Sequence, residues 1–306
     1  MNMGFESLQP TLIDTGSSAA FHANPHAQQR NPAGINRESR PHQPPLLMRA
    51  PGRSGLDTVG LTSRQQQGAS VRAMRQWHGL HEILARHRRI EMLASGSDPA
   101  CSPLVAHAGL AFRRKWVPAR ASGGMRLHDD LHLRHVAEGF GFEPCDLPES
   151  IRFGGASDVI HDAALEVLWI GVGPHCELPA AAGLARLLDI DTVPLRLADP
   201  RFERLDTCFS LLPGGVLLWY PPAFDADSRA LVESRIDALR RIAISENDAL
   251  AFACNAINLG SALVLHRASA RLKRELDDAG FTVIETPLDA FHKRGGSARS
   301  LALRVG

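Results

Sequence analysis

The sequence has little that would suit a nucleic-acid, membrane or metal-binding protein. Its 34 basic residues are balanced by 33 acidic ones, so no positive field gathers nucleic acid. No apolar run approaches the roughly 18 residues that cross a bilayer. The five cysteines are scattered and never form a Cys-x-x-Cys pair, which argues against a disulfide framework and a zinc site. We expect a cytoplasmic protein with reduced, mostly buried thiols, no cofactor, no metal, and no nucleic-acid or membrane partner.

The first 44 residues differ in composition from the rest of the chain. Ser, Gln, Asn, His and Pro dominate there, and the apolar positions have no period. A segment this polar cannot bury enough surface to offset its ordering entropy. We therefore predict a disordered tail over residues 1–44 and a folded domain over residues 45–306. An alternative interpretation is an uncleaved secretion signal on an exported effector. A second polar stretch, Gly52–Ser70, predicts a long surface loop.

Four segments repeat one pattern, in which two apolar strands around a turn lead into an amphipathic helix and a third strand. One such unit cannot bury both faces of its strands, so neighbouring units must cover them. The predicted fold is α/β, with ββαβ units arranged in a ring around a central cavity. The repeated segments, about 50 residues apart, are His107–Val117, Asp162–Gly171, Pro213–Tyr220 and Leu259–His266, and a diverged fifth copy begins at Leu46. Helical spacing predicts helices over Val71–Arg89, Leu127–Gly139, Leu178–Leu188, Ser228–Arg241 and Ser269–Ala279.

Four ordered motifs accompany the repeats, namely Phe153–Asp158, Arg204–Ser210, Cys254–Gly260 and Phe291–Ser300. Together with the five repeats they resemble the pentein superfamily of guanidine-modifying proteins, in particular its dimethylarginine dimethylaminohydrolases and amidinotransferase-like hydrolases. The resemblance covers about residues 45 to 306. It implies the five-bladed α/β propeller of that superfamily and a small guanidino compound as ligand.

In that superfamily the motifs carry a catalytic Glu, His and Cys. The thiolate attacks the guanidinium carbon, the His moves protons and the Glu orients the His. The resemblance places Gly154, Arg204 and Ser300 at these three positions. A serine hydroxyl is far less acidic than a thiol, an arginine stays protonated and cannot act as a base, and a glycine orients nothing. Because such groups act as a unit worth roughly 10⁶ in rate, we predict that this catalysis is lost.

Several polar positions of the motifs remain. The resemblance implies that Asp158 and Asp206 hold or neighbour the guanidinium, and that His107 lies in a segment that supplies another polar pocket group. Arg120, with Arg126 close by, is a candidate for binding a substrate carboxylate. We interpret Asn255 and the motif glycines as framework residues that hold backbone conformations.

An extended strand beginning at Arg204 would place Arg204, Asp206 and Cys208 on one face. We therefore predict an Arg204–Asp206 ion pair that fills the former substrate site. The same geometry makes Cys208 the best replacement nucleophile, since a nearby cation lowers the pKa of a thiol, with simple packing as its alternative role. His292 is the candidate proton carrier.

Two classes of function follow from these residues. The first is a catalytically degenerate pentein that binds an arginine-type ligand or a partner, either another protein or a second copy of itself. The alternative is an active amidinohydrolase that acts on C–N bonds of a guanidino or amidino compound, with a site rebuilt around Cys208, His292 and the aspartates Asp158 and Asp206.

Overall fold

The computed structural model describes residues 44–52, 62–94, 102–120 and 130–305, without the side chains of residues 130 and 131. All of these residues belong to one compact unit. Nearly all of the predicted tail, residues 1–43, lies outside them. No helix within these ranges is long and apolar enough to cross a bilayer.

Five three-stranded sheets, one for each predicted repeat, make up the fold. In each sheet an antiparallel pair is extended by a third strand that runs parallel to the middle one, and a helix connects those two parallel strands. We call each sheet with its helix a blade. This arrangement confirms the predicted α/β fold of five ββαβ repeats. In chain order the elements are β1 (Leu46–Met48), α1 (Ser63–Ala85), β2 (Ile90–Met92), β3 (Gly109–Phe112), β4 (Lys115–Pro118), α2 (Asp130–Gly139), β5 (Glu143–Pro144), β6 (Val159–Asp162), β7 (Val167–Val172), α3 (Leu178–Leu188), β8 (Asp191–Arg196), β9 (Phe209–Leu212), β10 (Val216–Trp219), α4 (Ala226–Arg235), β11 (Arg241–Ala243), α5 (Glu246–Leu250), β12 (Ile257–Asn258), β13 (Ala262–Leu265), α6 (Ala270–Asp278), β14 (Thr282–Glu285) and β15 (Ala302–Arg304).

The first blade takes one of its two edge strands from the far end of the chain. Strand β15 pairs antiparallel with β1, with Leu47 opposite Leu303, and β2 pairs parallel on the other side of β1. The copy that begins at Leu46 therefore lacks a first strand of its own. Leu47 and Leu303 are both buried, so this pairing ties the two ends of the domain together through apolar contact.

Two of the predicted helices have local signals that the structure bears out. Helix α3 has the predicted bounds and ends where Asp189 adopts a left-handed conformation with φ of 51°. Helix α6 begins after Ser269, whose hydroxyl accepts a hydrogen bond from the Leu272 N–H at 3.1 Å. Gly280, the glycine that follows the predicted helix, is left-handed with φ of 87° and ends it.

The predicted loop over Gly52–Ser70 is wrong from Ser63 onward, because α1 already begins there. Thr62 and Gln65 form a capping box: the Thr62 hydroxyl accepts from the Gln65 N–H, and the Gln65 side chain accepts from the Thr62 N–H at 2.9 Å. Glutamine is a good helix former, and this turn is exposed, so its polarity does not oppose a helix.

Helix α4 is displaced from its predicted range and shorter. It begins at Ala226 because the Asp225 carboxylate accepts from the Ser228 N–H at 2.9 Å and caps the helix. It ends at Arg235, since Ile236 has an extended backbone. The segment that follows reaches β11 through a short 3₁₀ turn, Ala238–Arg240.

Candidate functional site

The turns that enter the blades meet one another in a closed ring of contacts. A 3₁₀ turn precedes the first strand in four blades, and an irregular turn around Asn255 does so in the fifth. Each of the five positions two residues before the first strand carries a polar side chain. These residues are His107, Ser157, Thr207, Asn255 and Ser300. The repeat thus brings five polar positions together where the blades meet.

Ser300 is held in a buried hydrogen-bond network with Asn255 and Asp206. The Asn255 Nδ2 donates to Ser300 Oγ at 3.1 Å, and the Ser300 hydroxyl lies 3.4 Å from Asp206 Oδ2. The backbone N–H groups of Ser297 and Ser300 both donate to Asn255 Oδ1. None of these four residues is exposed. Asn255, interpreted from the sequence as framework, therefore contacts the hydroxyl directly, and its place in the repeat is the signal that identifies it.

Arg204 contacts Asp158 and not Asp206. Its Nη1 donates to the carbonyl oxygen of Gly154 at 2.8 Å and to Asp158 Oδ2 at 3.4 Å. The predicted Arg204–Asp206 ion pair is wrong because Leu205–Thr207 form a 3₁₀ turn, in which alternate residues do not share a face. Arg204 itself is extended, with φ of −135° and ψ of 147°, and its side chain reaches across to the neighbouring blade.

Gly154 leaves the space that the Arg204 guanidinium fills. A Cβ on Gly154 would collide with the Asp158 carboxylate and would lie 2.6 Å from Arg204 Nη1. Its backbone, with φ of −89°, suits any residue, so the requirement for glycine here is steric. The next residue differs: Gly155 has φ of 79°, and a Cβ there would lie 2.8 Å from the Ala106 carbonyl oxygen.

Burial dominates the electrostatics of the two carboxylates. Desolvation raises the pKa of Asp158 to about 7, which Arg204 opposes and Asp206 reinforces. Desolvation likewise raises the pKa of Asp206 to about 6, against the attraction of Arg299. The Ser157 hydroxyl lowers the pKa of Asp206, yet neither Ser157 Oγ nor Asp206 Oδ1 has a hydrogen-bond partner among the described residues.

These shifts predict a stability change with pH that depends on Asp158. A carboxyl whose pKa is raised on folding stabilises the protein fully below about pH 4, and this contribution is lost as the pH rises through about 7. The unfolding free energy of wild type minus that of Asp158→Asn should therefore fall over this range, by at most about 1.4 kcal/mol per pH unit. Urea unfolding of both proteins at several pH values measures it. His107 and His292 have lowered pKa values and act in the opposite sense, so the difference between the two proteins is the informative quantity. A difference that rises or stays flat contradicts the prediction.

His107 faces the same centre, whereas Arg120 has its own partner. Burial lowers the pKa of His107 well below its ordinary value, and Arg204 and His175 add to the effect. Its Nε2 is buried with no hydrogen-bond partner in the described part of the chain. The Arg120 side chain is buried and donates to Asp146 at 3.0 Å. Arg126 lies outside the described residues.

Cys208 has the surroundings of a packed thiol. It is fully buried, and its Sγ lies 3.6 Å from the Leu205 carbonyl oxygen. Burial raises its pKa well above the ordinary value, and Cys254 and Asp206 contribute in the same direction. The strand face that was expected to bring it beside Arg204 is absent because of the 3₁₀ turn. The geometry thus favours the packing alternative over the nucleophile.

His292 belongs to an aromatic cluster. Its ring stacks on Phe252 with centroids 4.4 Å apart and meets His266 edge-on at 4.7 Å. Burial lowers the pKa of His292 to about 4, with His266 as the second cause. A histidine in this environment is neutral near pH 7 and makes a weak base.

Six residues, which we call the central site, thus meet where the blades converge: Gly154, Asp158, Arg204, Asp206, Asn255 and Ser300. Five ββαβ blades with motif residues of this kind at their inner turns define a class, and the chain belongs to the pentein superfamily of guanidine-modifying proteins. Within that class it is similar to arginine dihydrolases and to dimethylarginine dimethylaminohydrolases. No family model matches the sequence.

Two relatives and one solved structure carry this assignment. The bifunctional arginine dihydrolase/ornithine cyclodeaminase AgrE of Nostoc sp. is 41% identical over 234 residues, which cover 76% of this chain and 33% of that protein. The N(G),N(G)-dimethylarginine dimethylaminohydrolase of Mycobacterium tuberculosis is 32% identical, and the match covers 76% of each chain. The N-terminal domain of the cyanobacterial arginine dihydrolase ArgZ, solved as a cysteine-to-serine mutant bound to substrate, has a TM-score of 0.78 and 37% identity over 86% of this chain and 98% of that one. The chain spans about a third of the length of the bifunctional relatives.

Proposed function

We propose that this chain is a binding protein of the pentein superfamily that holds an arginine-like ligand, or a partner, at the central site without the superfamily's catalysis. The observation that carries the proposal is the position of the Arg204 guanidinium. It lies on the Gly154 carbonyl oxygen and the Asp158 carboxylate, the carboxylate that the resemblance assigns to the substrate guanidinium. A fixed cation there competes with a substrate cation and cannot accept a proton.

The replacements at positions 154 and 204 depend on each other. A Cβ at residue 154 would lie 2.6 Å from Arg204 Nη1, so a side chain at this position crowds the guanidinium. A pocket that has an ion pair in place of an orienting acid and a proton carrier no longer holds the histidine that moves protons in the superfamily. This dependence between positions 154 and 204 supports a pocket that binds a ligand and no longer catalyses the reaction of the superfamily.

Ser300 supports the same proposal. By the motif resemblance it stands where the superfamily has its nucleophilic cysteine. The structure of AgrE with L-arginine was obtained with a cysteine-to-alanine mutant, and that of the ArgZ domain with its substrate with a cysteine-to-serine mutant. We infer that this chain carries naturally the kind of replacement that leaves ligand on those relatives. The Ser300 hydroxyl also has Asn255 and Asp206 as partners and no neutral imidazole among them.

A turnover assay tests the proposal against the alternative of a rebuilt hydrolase. The purified chain is incubated with L-arginine, asymmetric dimethylarginine and agmatine, and ureido product is measured. We expect none above the buffer blank, since the Ser300 hydroxyl is far less acidic than a thiol and has no imidazole among its partners, and the Cys208 thiol is buried with a raised pKa. Turnover of any of the three would overturn the proposal. If Cys208→Ala removed that turnover, the rebuilt site would be the correct interpretation.

A further inference from the structure

The central site holds two opposite hydrogen-bonding groups that the protein leaves unsatisfied. Arg204 uses Nη1 for Gly154 and Asp158, while its Nε and Nη2 have no partner within the described ranges, and its side chain is 12% exposed. Asp206 Oδ1 is buried and has no partner either. A buried polar atom without a partner costs free energy, so a ligand that satisfies it gains by binding. The site thus offers a donor and an acceptor at once.

The presence of a donor on Arg204 and an acceptor on Asp206 disfavours ligands that end in a guanidinium or in a carboxylate. A guanidinium has only donors, so it gives Arg204 nothing to bind and places a second cation beside it. A carboxylate has only acceptors, so it leaves Asp206 Oδ1 unsatisfied and adds a third acid beside Asp158 and Asp206. A neutral planar group with one oxygen acceptor and N–H donors can pair with both the Arg204 donors and the Asp206 acceptor. A ureido group has this composition and the shape of a guanidinium.

We propose that the central site selects a ureido end group over a guanidinium, with the ureido oxygen accepting from Arg204 and a ureido N–H donating to Asp206 Oδ1. The inference rests on the proposed binding function and names its ligand class, an N-carbamoyl amine of amino-acid size. His107 adds a neutral polar wall, because burial holds its pKa well below the ordinary value and its Nε2 is free of protein partners in the described part of the chain. A neutral imidazole suits a neutral ligand.

Calorimetric titration with L-citrulline and L-arginine tests the selection, because these probes differ only in the end group, which is a neutral ureido group in one and a guanidinium cation of the same shape in the other. At neutral pH we expect citrulline to bind at least about tenfold more tightly, since a site with unpaired polar groups rejects an analogue that cannot pair them. Arg204→Met should reverse the order, because it frees Asp158 for a cation. The matched control is Arg201→Met, which removes an exposed guanidinium paired with Asp199 and Glu246 and should keep the wild-type order.

The wild-type ranking decides the inference even if Arg204→Met does not fold, and Arg204→Gln offers a second variant with a neutral donor. Arginine binding as tightly as citrulline, or neither probe binding at about 10 mM, would overturn the ureido selection. These outcomes leave the absence of turnover untouched. Hydrolysis of arginine would instead overturn the proposed function, so the two failures can be told apart.

Discussion

Restoring Gly154→Glu, Arg204→His and Ser300→Cys together is expected to give conversion of L-arginine to a ureido product where the wild-type chain gives none. The triple variant supplies a thiol, a proton carrier and an orienting acid at the three positions that the motifs assign to catalysis. It also removes the cation from Asp158, which then becomes available to a substrate guanidinium. We expect turnover at least about 10³-fold above the wild-type background, a fraction of the roughly 10⁶ that such groups supply as a unit.

The double variant Gly154→Glu/Arg204→His, which keeps Ser300, is the matched control. It has the same pocket without the thiol and should remain inactive. Catalytic groups that act as a unit lose nearly all of their rate enhancement when one of them is missing. Circular dichroism and a thermal unfolding curve establish that each variant is folded. A folded triple variant without turnover would show that the central site has changed beyond the three positions. Equal turnover in the double variant would contradict the role given to position 300.

Most of the fold was predictable from the sequence because the pattern that encodes it is repeated. A period of about 50 residues gives the ββαβ unit four times, and a turn signal such as Gly280 marks where a helix ends. Two features of the fold were not predicted, for opposite reasons. The capping box of Thr62 and Gln65 is a local signal, but the polar composition of the first turns of α1 resembles that of a loop. The pairing of β15 with β1 joins the two ends of the domain and has no local signal at all.

The composition of the central site was predictable, and its contacts were not. Motif letters identified Asp158, Arg204, Asp206 and Ser300, and these residues do lie together. The partner of Arg204 depends on whether Leu205–Thr207 is an extended strand or a 3₁₀ turn. The sequence of these three residues alone does not predict which of the two forms. It also depends on empty space at Gly154, fifty positions away along the chain. The space beside Gly154 is defined only by the packing of the two blades, so the sequence does not reveal it.

A Gly154→Ala substitution should show that position 154 has no room for a side chain while Asp158 and Arg204 keep their positions. The added Cβ has no room beside Asp158 and Arg204, and the backbone at 154 is ordinary, so the loss of stability comes from crowding alone. We expect the unfolding free energy to fall by about 2 kcal/mol. The control Gly139→Ala places a Cβ in open space at the end of α2 and should change stability by less than about 1 kcal/mol.

Arg204→Met completes a double-mutant cycle with Gly154→Ala. Without the guanidinium the Asp158 carboxylate can turn away from position 154, so the two substitutions together should cost at least about 1 kcal/mol less than the sum of the singles. Denaturant unfolding of the four proteins under one buffer measures this coupling. Additive costs would mean that glycine at 154 and arginine at 204 are independent, and the interlocked pair would then no longer explain why the orienting acid and the proton carrier are replaced together. A positive coupling means that restoring the acid alone at position 154 is strongly disfavoured while Arg204 remains, so a return to catalysis has to pass through both positions.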